Sequence, residues 1–155
     1  MSANTIRNTL GQLQDEPDNE QAWSELRVTL GLEEGSAKRR NDIGVTDEEL
    51  WKLLEAARRA HEMRREYEAV ANLLDMEVAL AKGTEAETDL LEALARVLDE
   101  ELLDDARATA AFTRLVEMHP GELELEDLLE KSDAKRGKWQ DLVQRYLDEA
   151  QAAGE

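Results

Sequence analysis

The sequence predicts an all-α protein, and its apolar pattern and its composition carry that prediction. Apolar residues recur at helical spacing almost throughout, as at Leu50, Leu53, Leu54 and Ala57. Most of the other positions are Ala, Leu, Glu, Arg and Lys, which are strong helix formers. Strict alternation occurs only at residues 122–126 (ELELE), a stretch too short to outweigh the helical pattern that follows it.

Capping residues and helix-stop residues position the predicted helices along the chain. Predicted capping boxes, in which two side chains satisfy each other's backbone N–H groups, are Thr46 with Glu49, Thr84 with Glu87 and, in a weaker version, Asp18 with Gln21. Predicted helix ends are Gly31, Gly83 and His119-Pro120-Gly121. These signals predict helices at about 3–14, 19–31, 47–63, 66–82, 85–101, 104–118, 122–134 and 138–152, with a long loop at 32–46.

The predicted helices repeat. Leu53-Leu54-Glu55-Ala56, Leu90-Leu91-Glu92-Ala93 and Leu128-Leu129-Glu130-Lys131 begin 37 and 38 residues apart. Two helices in a period of about 20–50 residues are typical of a helical solenoid, because each hairpin must stack on its neighbour to bury its apolar face. We therefore expect a right-handed α-solenoid of stacked antiparallel hairpins. A helix pair at 1–31 and about three hairpins at 47–155 are expected to form one array.

The hairpins resemble tetratricopeptide repeats. The residues that carry the resemblance are Pro17, Trp23 and Leu26, then Ala108, Phe112 and Pro120, and finally Gly137-Lys138-Trp139, which is similar to the turn between the two helices of a repeat. First-helix Gly and Tyr positions of the family are mostly absent, so the likeness, over about 1–31 and 47–153, is to a divergent member. It implies a concave surface, made by the first helices 47–63, 85–101 and 122–134, that binds a peptide.

Large side chains within these helices are predicted to hold the hairpins together. Trp23 and Trp139, near helix starts, are expected to pack between hairpins. Leu74, Phe112 and Tyr146 are expected to fill the grooves between neighbouring helices. Because the chain has only 3 Trp, 2 Tyr and 1 Phe, its core has to be built mainly from Leu, Ala and Val.

Composition excludes several kinds of site and partner. The chain has 155 residues, 19 basic and 37 acidic, for a net charge of −18, and it contains no Cys and two His. Disulfides, thiolate zinc sites and multi-His metal sites are therefore excluded. The acidity argues against nucleic acid and anionic membranes as partners. Because the chain lacks a secretory start and any apolar run near the ~18 residues of a membrane span, we expect a soluble, cytoplasmic protein.

No residue pattern predicts an enzyme. Carboxylates are so abundant that acidic pairs at helical spacing arise by chance and carry no weight as acid–base candidates. The acidic cluster at 99–105 (DEELLDD) lacks the alternating ligands and the Gly of a calcium loop, so a solvated turn is the favoured interpretation. His61 and His119, each near a helix C-terminus, are expected to be structural. We predict no catalytic residue, no metal and no cofactor.

Basic residues are concentrated in the first part of the chain. Residues 1–65 carry 10 basic and 13 acidic side chains (net −3), whereas residues 66–155 carry 9 and 24 (net −15). One interpretation is that solvated Arg side chains pair with neighbouring Glu. The other is a positive patch for an acidic partner, or for the acidic end of another copy. The candidate partner-binding residues are Lys38, Arg39, Arg40, Arg58, Arg59 and Arg65, together with Trp51, which either covers the next hairpin or anchors a partner.

These observations favour a scaffold or adaptor that binds another protein or peptide, with an acidic segment as the candidate ligand, and that performs no catalysis. Self-assembly into a homo-oligomer, and service as the N-terminal part of a longer repeat protein, are alternatives of the same class. A small helical enzyme or metal-binding bundle is the alternative from another class. The sequence alone identifies neither the partner nor the face that binds it.

Overall fold

The computed structural model of the protein describes residues 2–32 and 46–154, and within these ranges it contains helices and no strand. The helices are α1 (Ser2–Asp15), α2 (Glu20–Thr29), α3 (Asp47–Met63), α4 (Tyr67–Leu80), α5 (Ala86–Arg96), which a π-helical turn (Val97–Glu101) continues, α6 (Asp105–Met118) and α7 (Leu123–Ala153). The all-α prediction is confirmed. Apart from its two end residues, the predicted loop at 32–46 lies outside the described residues, and so do Lys38, Arg39 and Arg40.

Capping chemistry explains where α2 and α3 begin. The predicted capping box of α3 is confirmed, since the Thr46 hydroxyl accepts from the Glu49 N–H at 3.2 Å and the Glu49 carboxylate accepts from the Thr46 N–H at 3.4 Å. At α2 the predicted cap, Asp18, is wrong by one residue. Asn19 caps that helix, because its side-chain oxygen accepts from the Ala22 N–H at 3.1 Å.

The predicted capping box of Thr84 and Glu87 is wrong. The Thr84 hydroxyl donates backward to the Ala81 carbonyl at 2.6 Å, and the Glu87 carboxylate accepts from the Gly83 N–H at 2.8 Å. Both side chains therefore form hydrogen bonds with the end of α4 and the turn after it. Gly83 has φ of +84°, a left-handed backbone that glycine adopts without a steric penalty.

The chain folds into two compact units, Met1–Leu91 and Glu92–Glu155. In the first unit α1 packs against α2 and α3, and α3 packs against α4. Trp23 is buried in this core, as predicted, and its Nε1–H donates to the Pro17 carbonyl at 2.8 Å. The other core residues are Ile6, Leu10, Leu13, Ala22, Leu26, Leu30, Leu50, Leu54, Ala57, Ala69, Leu73 and Met76.

In the second unit α6 packs against α7 and against the π-helical turn. The buried stripe of α6 consists of Ala108, Ala111, Phe112 and Leu115, so the predicted burial of Phe112 is confirmed. On α7 the buried residues are Leu125 and Ser132, and the Ser132 hydroxyl lies 2.9 Å from the hydroxyl of Thr109. This hydrogen bond satisfies a polar side chain that is 2% exposed and sets the register of α7 against α6.

The predicted turn at Gly137-Lys138-Trp139 is wrong, because α7 runs unbroken from Leu123 to Ala153. A single Gly costs only about 1 kcal/mol inside a helix, and the helix formers around Gly137 offset that cost. At about 1.5 Å per residue, the 31 residues of α7 span on the order of 46 Å, whereas the 14 residues of α6 span about 21 Å. Much of α7 therefore has no length of α6 to pack against.

Candidate protein-interaction surface

Arg58, a predicted partner-binding residue, is engaged by a carboxylate within the protein. Its guanidinium donates to Glu77 on α4 from Nε at 2.8 Å and from Nη2 at 3.3 Å. The two side chains are only 19% and 2% exposed. Two-pronged pairing of this kind is the strongest that an Arg makes with a carboxylate. The structure thus assigns Arg58 to joining α3 and α4, a role that the sequence analysis did not identify.

Burial raises the pKa of the Glu77 carboxyl above its ordinary value of 4.5, because removal from water disfavours the charged form. The hydrogen bond and the positive charge of Arg58 oppose that rise, and the nearby charge of Glu55 adds to it. Desolvation is the largest of these effects. Glu77 is therefore a buried carboxylate that depends on one cation for compensation.

Arg59 and Trp51, two other predicted partner-binding residues of α3, differ in their exposure. Arg59 is 71% exposed and contacts Glu55, one turn earlier, at 2.7 Å between Nη2 and Oε1. This pairing matches the interpretation in which solvated Arg side chains balance neighbouring Glu. Trp51 is half-buried. Its two predicted roles, covering a hairpin and anchoring a partner, both stay predictions.

Arg65 ends α3 in a left-handed conformation, with φ of +59°. Its N–H donates to the Glu62 carbonyl, and the N–H of Glu66 donates to the His61 carbonyl, both at 3.0 Å. These two hydrogen bonds define a Schellman motif, in which the left-handed position usually holds Gly. The Arg65 side chain is exposed. Its backbone terminates the helix, whereas its predicted contact with a partner stays a prediction.

His61 connects the end of α3 to the core of the first unit. Its ring is fully buried, its Nδ1 lies 2.8 Å from Oε1 of Glu66, and its centroid lies 6.4 Å from that of Trp23. Arg64, in the same turn, donates from Nη1 to the Gln14 carbonyl of α1 at 2.8 Å. These contacts fit the structural role predicted for His61. They also show how the turn after α3 is tied to α1 and α2.

The acidic cluster at 99–105 is engaged in contacts within the second unit. Asp99 pairs with Lys135 of α7, and the side chain of Asp104 caps α6 by accepting from the Arg107 N–H at 3.1 Å. Across residues 2–32 and 46–154, no three His, Asp or Glu side chains are grouped as a metal ion would require. Among the helices described, none combines the length and the apolar character of a membrane span.

Large apolar side chains lie exposed along the second half of α7. Trp139, Val143, Tyr146 and Leu147 are 59%, 53%, 62% and 59% exposed. Their spacing puts them on one side of the helix, with the half-buried Leu142 at the edge. We call these five residues the α7 face. The predicted packing of Trp139 and Tyr146 between helices is wrong, since α7 continues as one helix where a hairpin partner was expected.

An open groove of about 220 Å³ lies at the N-terminal end of the α7 face. It is lined by Lys135, Lys138, Trp139 and Leu142. The ammonium group of Lys135 is turned toward Asp99, at 3.4 Å from Oδ1. Lys138 is exposed and lines the same groove as Trp139. The groove therefore combines an aromatic surface with a positive charge, which suits an apolar side chain that has a carboxylate nearby.

Comparison of the chain with known proteins gave no match to a protein-family model, to a curated protein or to a solved structure. The resemblance to tetratricopeptide repeats therefore stays a prediction that rests on the residues quoted for it.

Trp139 and Tyr146 of the α7 face are recognisable in the sequence as large apolar residues, but the sequence pattern places them in the core. The apolar spacing from Trp139 through Tyr146 predicts a helix with one apolar side that packs against another surface. That spacing is the same whether the cover comes from the chain itself or from a partner. The length of α7 relative to α6 distinguishes the two cases, and the predicted turn at Gly137 concealed that length.

Proposed function

We propose that the protein is a non-enzymatic scaffold or adaptor, and that the α7 face is a surface on which a protein partner docks. The observation that carries this proposal is the exposure of Trp139, Val143, Tyr146 and Leu147 on one side of one helix. The largest exposed apolar patch on a typical monomeric protein measures about 300–600 Å² and is often functional. Single exposed apolar residues are ordinary on a protein surface, but four on one face of a helix form a contiguous apolar patch.

The size and composition of the α7 face support this proposal. A buried Trp or Tyr contributes roughly 150–250 Å², so two half-exposed aromatic rings with a Val and a Leu expose on the order of 400 Å². That area suits the apolar centre of an interface that buries about 800 Å² on each partner. Trp and Tyr are also the residue types that most often dominate binding energy.

The charge distribution supports an acidic segment as the ligand. Lys138 lies beside the groove on α7, and Arg59 and Arg65 are exposed at α3 and the turn after it. Because Arg58 is engaged by Glu77 within the first unit, we assign the attraction of an acidic segment toward the α7 face to Lys138. Arg59 and Arg65 stay candidates for a partner contact of the first unit. The array of tetratricopeptide-like hairpins and a cytoplasmic location belong to the same proposal and stay predictions.

A capture experiment tests the proposal. The immobilised chain is exposed to a lysate of the source cell, to which labelled copies of the chain itself have been added, and the bound proteins are identified. The test variant is Trp139→Ser with Tyr146→Ser. The matched control is Val28→Ser with Met63→Ser, which removes exposed apolar side chains (45% and 86% exposed) from the first unit. Circular dichroism checks that both variants keep their helix content.

We expect the wild-type chain and the control variant to retain a bound protein that the α7 variant loses. Capture of the labelled chain counts as capture of a protein. Equal capture by the two variants would contradict the proposal, because it would place binding away from α7. Stoichiometric metal binding, or catalytic turnover of a small molecule, that survives in the α7 variant would favour the alternative of a small helical enzyme or metal-binding bundle.

A further inference from the structure

The charges around the α7 face differ from those of the rest of the chain. Residues 135–153 carry four basic side chains and three acidic ones, whereas the whole chain has a net charge of −18. Two copies of so acidic a protein repel each other over most of their surfaces. Residues 135–153 are a stretch where that repulsion is locally absent, and the exposed apolar side chains of α7 lie within it.

These charges are also ordered along the helix. The basic residues Arg136 and Lys138 come before the α7 face, after Lys135, which pairs with Asp99, whereas Asp148 and Glu149 come at its end. A second copy of the helix laid antiparallel therefore sets the basic end of one copy against the acidic end of the other. The helix dipoles are opposed in the same arrangement, which favours it further.

We propose that the partner of the α7 face is a second copy of this chain, paired through an antiparallel contact between the two α7 helices. This inference rests on the proposed function and specifies its partner. Trp139, Val143, Tyr146 and Ala150 recur at alternating steps of four, three and four residues, the spacing of the seam between two packed helices. Antiparallel pairing sets Val143 of one copy beside Tyr146 of the other, and Trp139 beside Ala150.

Polar residues flank that seam in a complementary way. Lys138 and Glu149 lie on the same side of the helix, 11 residues apart, which is about three turns. In a symmetric antiparallel pair, Lys138 of each copy therefore lies next to Glu149 of the other, so the contact forms twice. Each copy contributes on the order of 400 Å² of apolar surface, and this polar rim extends it toward the roughly 800 Å² per partner of a standard interface.

Sedimentation equilibrium of the purified chain over a wide concentration range tests this inference. We expect the mass to rise from the 17.5 kDa of one chain toward twice that value. Val143→Asp, at a position 53% exposed, is expected to keep the helix content and to abolish the rise. Val28→Asp, at a position 45% exposed on α2, is the matched control and is expected to leave the rise unchanged.

A charge swap tests the antiparallel arrangement. Lys138→Glu alone and Glu149→Lys alone are each expected to weaken dimerisation by roughly tenfold at low salt, because each creates two like-charge contacts. The variant with both substitutions restores opposite charges, and we expect it to dimerise about as well as the wild type. Absence of this rescue would overturn the antiparallel pairing.

Two results would overturn the inference: a chain that does not dimerise, and a dimer that does not depend on Val143. The capture experiment then shows whether the proposed function stands. A chain that stays at 17.5 kDa at every concentration is not a dimer. If the Trp139→Ser, Tyr146→Ser variant nevertheless loses a captured protein other than the chain itself, the α7 face binds a different partner and the proposed function stands. If that variant loses nothing, both proposals fail. A dimer that survives Val143→Asp would place the interface elsewhere.

Discussion

The guanidinium of Arg58 meets the carboxylate of Glu77 through two hydrogen bonds, 2.8 Å from Nε and 3.3 Å from Nη2, and joins α3 to α4 across 19 residues of sequence. Glu77 is nearly inaccessible to water, so Arg58 supplies the compensation that solvent supplies elsewhere. A residue that looked like a surface cation in the sequence is therefore part of the packing between two helices.

Arg58→Met is expected to lower the free energy of unfolding by about 3–5 kcal/mol, because it leaves the Glu77 carboxylate buried without a counter-charge. Urea unfolding followed by circular dichroism measures the loss. Arg59→Met is the matched control, and its effect is expected to be much smaller, since its pair with Glu55 is exposed. A double variant, Arg58→Met with Glu77→Met, is expected to recover most of the stability. Equal losses for Arg58→Met and Arg59→Met would contradict the assignment.

The raised pKa of Glu77 predicts how its contribution to stability changes with pH. In the folded protein the group holds its proton to a higher pH than in the unfolded chain, so between the two pKa values the folded state binds more protons. The contribution of Glu77 is therefore fully present below about pH 4.5 and declines as pH rises through the folded pKa. We expect the difference in unfolding free energy between wild type and Glu77→Gln to fall over this window. A difference that rises with pH would show that the pKa is lowered instead.

The left-handed position at Arg65 predicts a stabilising substitution. Arg65→Gly is expected to raise the free energy of unfolding by about 0.5–1 kcal/mol, because Gly adopts φ of +59° without the clash that a Cβ makes. Arg64→Gly is the control, since Arg64 has φ of −91° and contacts α1, and we expect it to destabilise. Thermal or urea unfolding distinguishes the two. Destabilisation by both variants would contradict the Schellman motif.

The continuity of α7 is tested at Gly137. Added to this helical glycine, a Cβ meets nothing within 4 Å, so Gly137→Ala is expected to stabilise by roughly 0.5–1 kcal/mol through helix propensity. Gly121→Ala is the control, because Gly121 has φ of +90° and is expected to be strained by any side chain. If residues 137–139 formed the turn that the sequence predicts, Gly137→Ala would destabilise as well. Unfolding measurements of the two variants therefore decide between a helix and a turn.

Local chemistry explains why most helices could be predicted. The spacing of apolar residues and the Thr46–Glu49 box act within a few residues, and α3 is observed at Asp47–Met63, in agreement with the predicted 47–63. The N-cap residue is harder to predict where several neighbouring residues can cap the helix. Asp18 and Asn19 are both good caps, and nothing in their immediate sequence selects between them. Thr84 and Glu87 fitted the pattern of a box, but the turn at Gly83 presented other hydrogen-bond partners to both.

Partner choice for charged side chains could not be predicted in the same way. Arg58 and Arg59 are adjacent in sequence, and both lie near Glu residues on α3. Their positions differ by about 100° around the helix, so one meets Glu77 of α4 and the other stays in water with Glu55. Only the packing of α3 against α4 decides which of the two becomes a buried, structural residue.

The sequence by itself determined that the chain is helical, where most of its helices begin and end, and which apolar residues need cover. Those properties depend on interactions within a few residues along one helix. Tertiary structure decided which apolar stripes receive that cover. Trp23 and Phe112 are buried because neighbouring helices pack against them. Trp139 and Tyr146 are exposed because α7 extends beyond the length of α6. Apolar residues at helical spacing need another surface to pack against, and only the tertiary structure shows whether another helix of the same chain provides it.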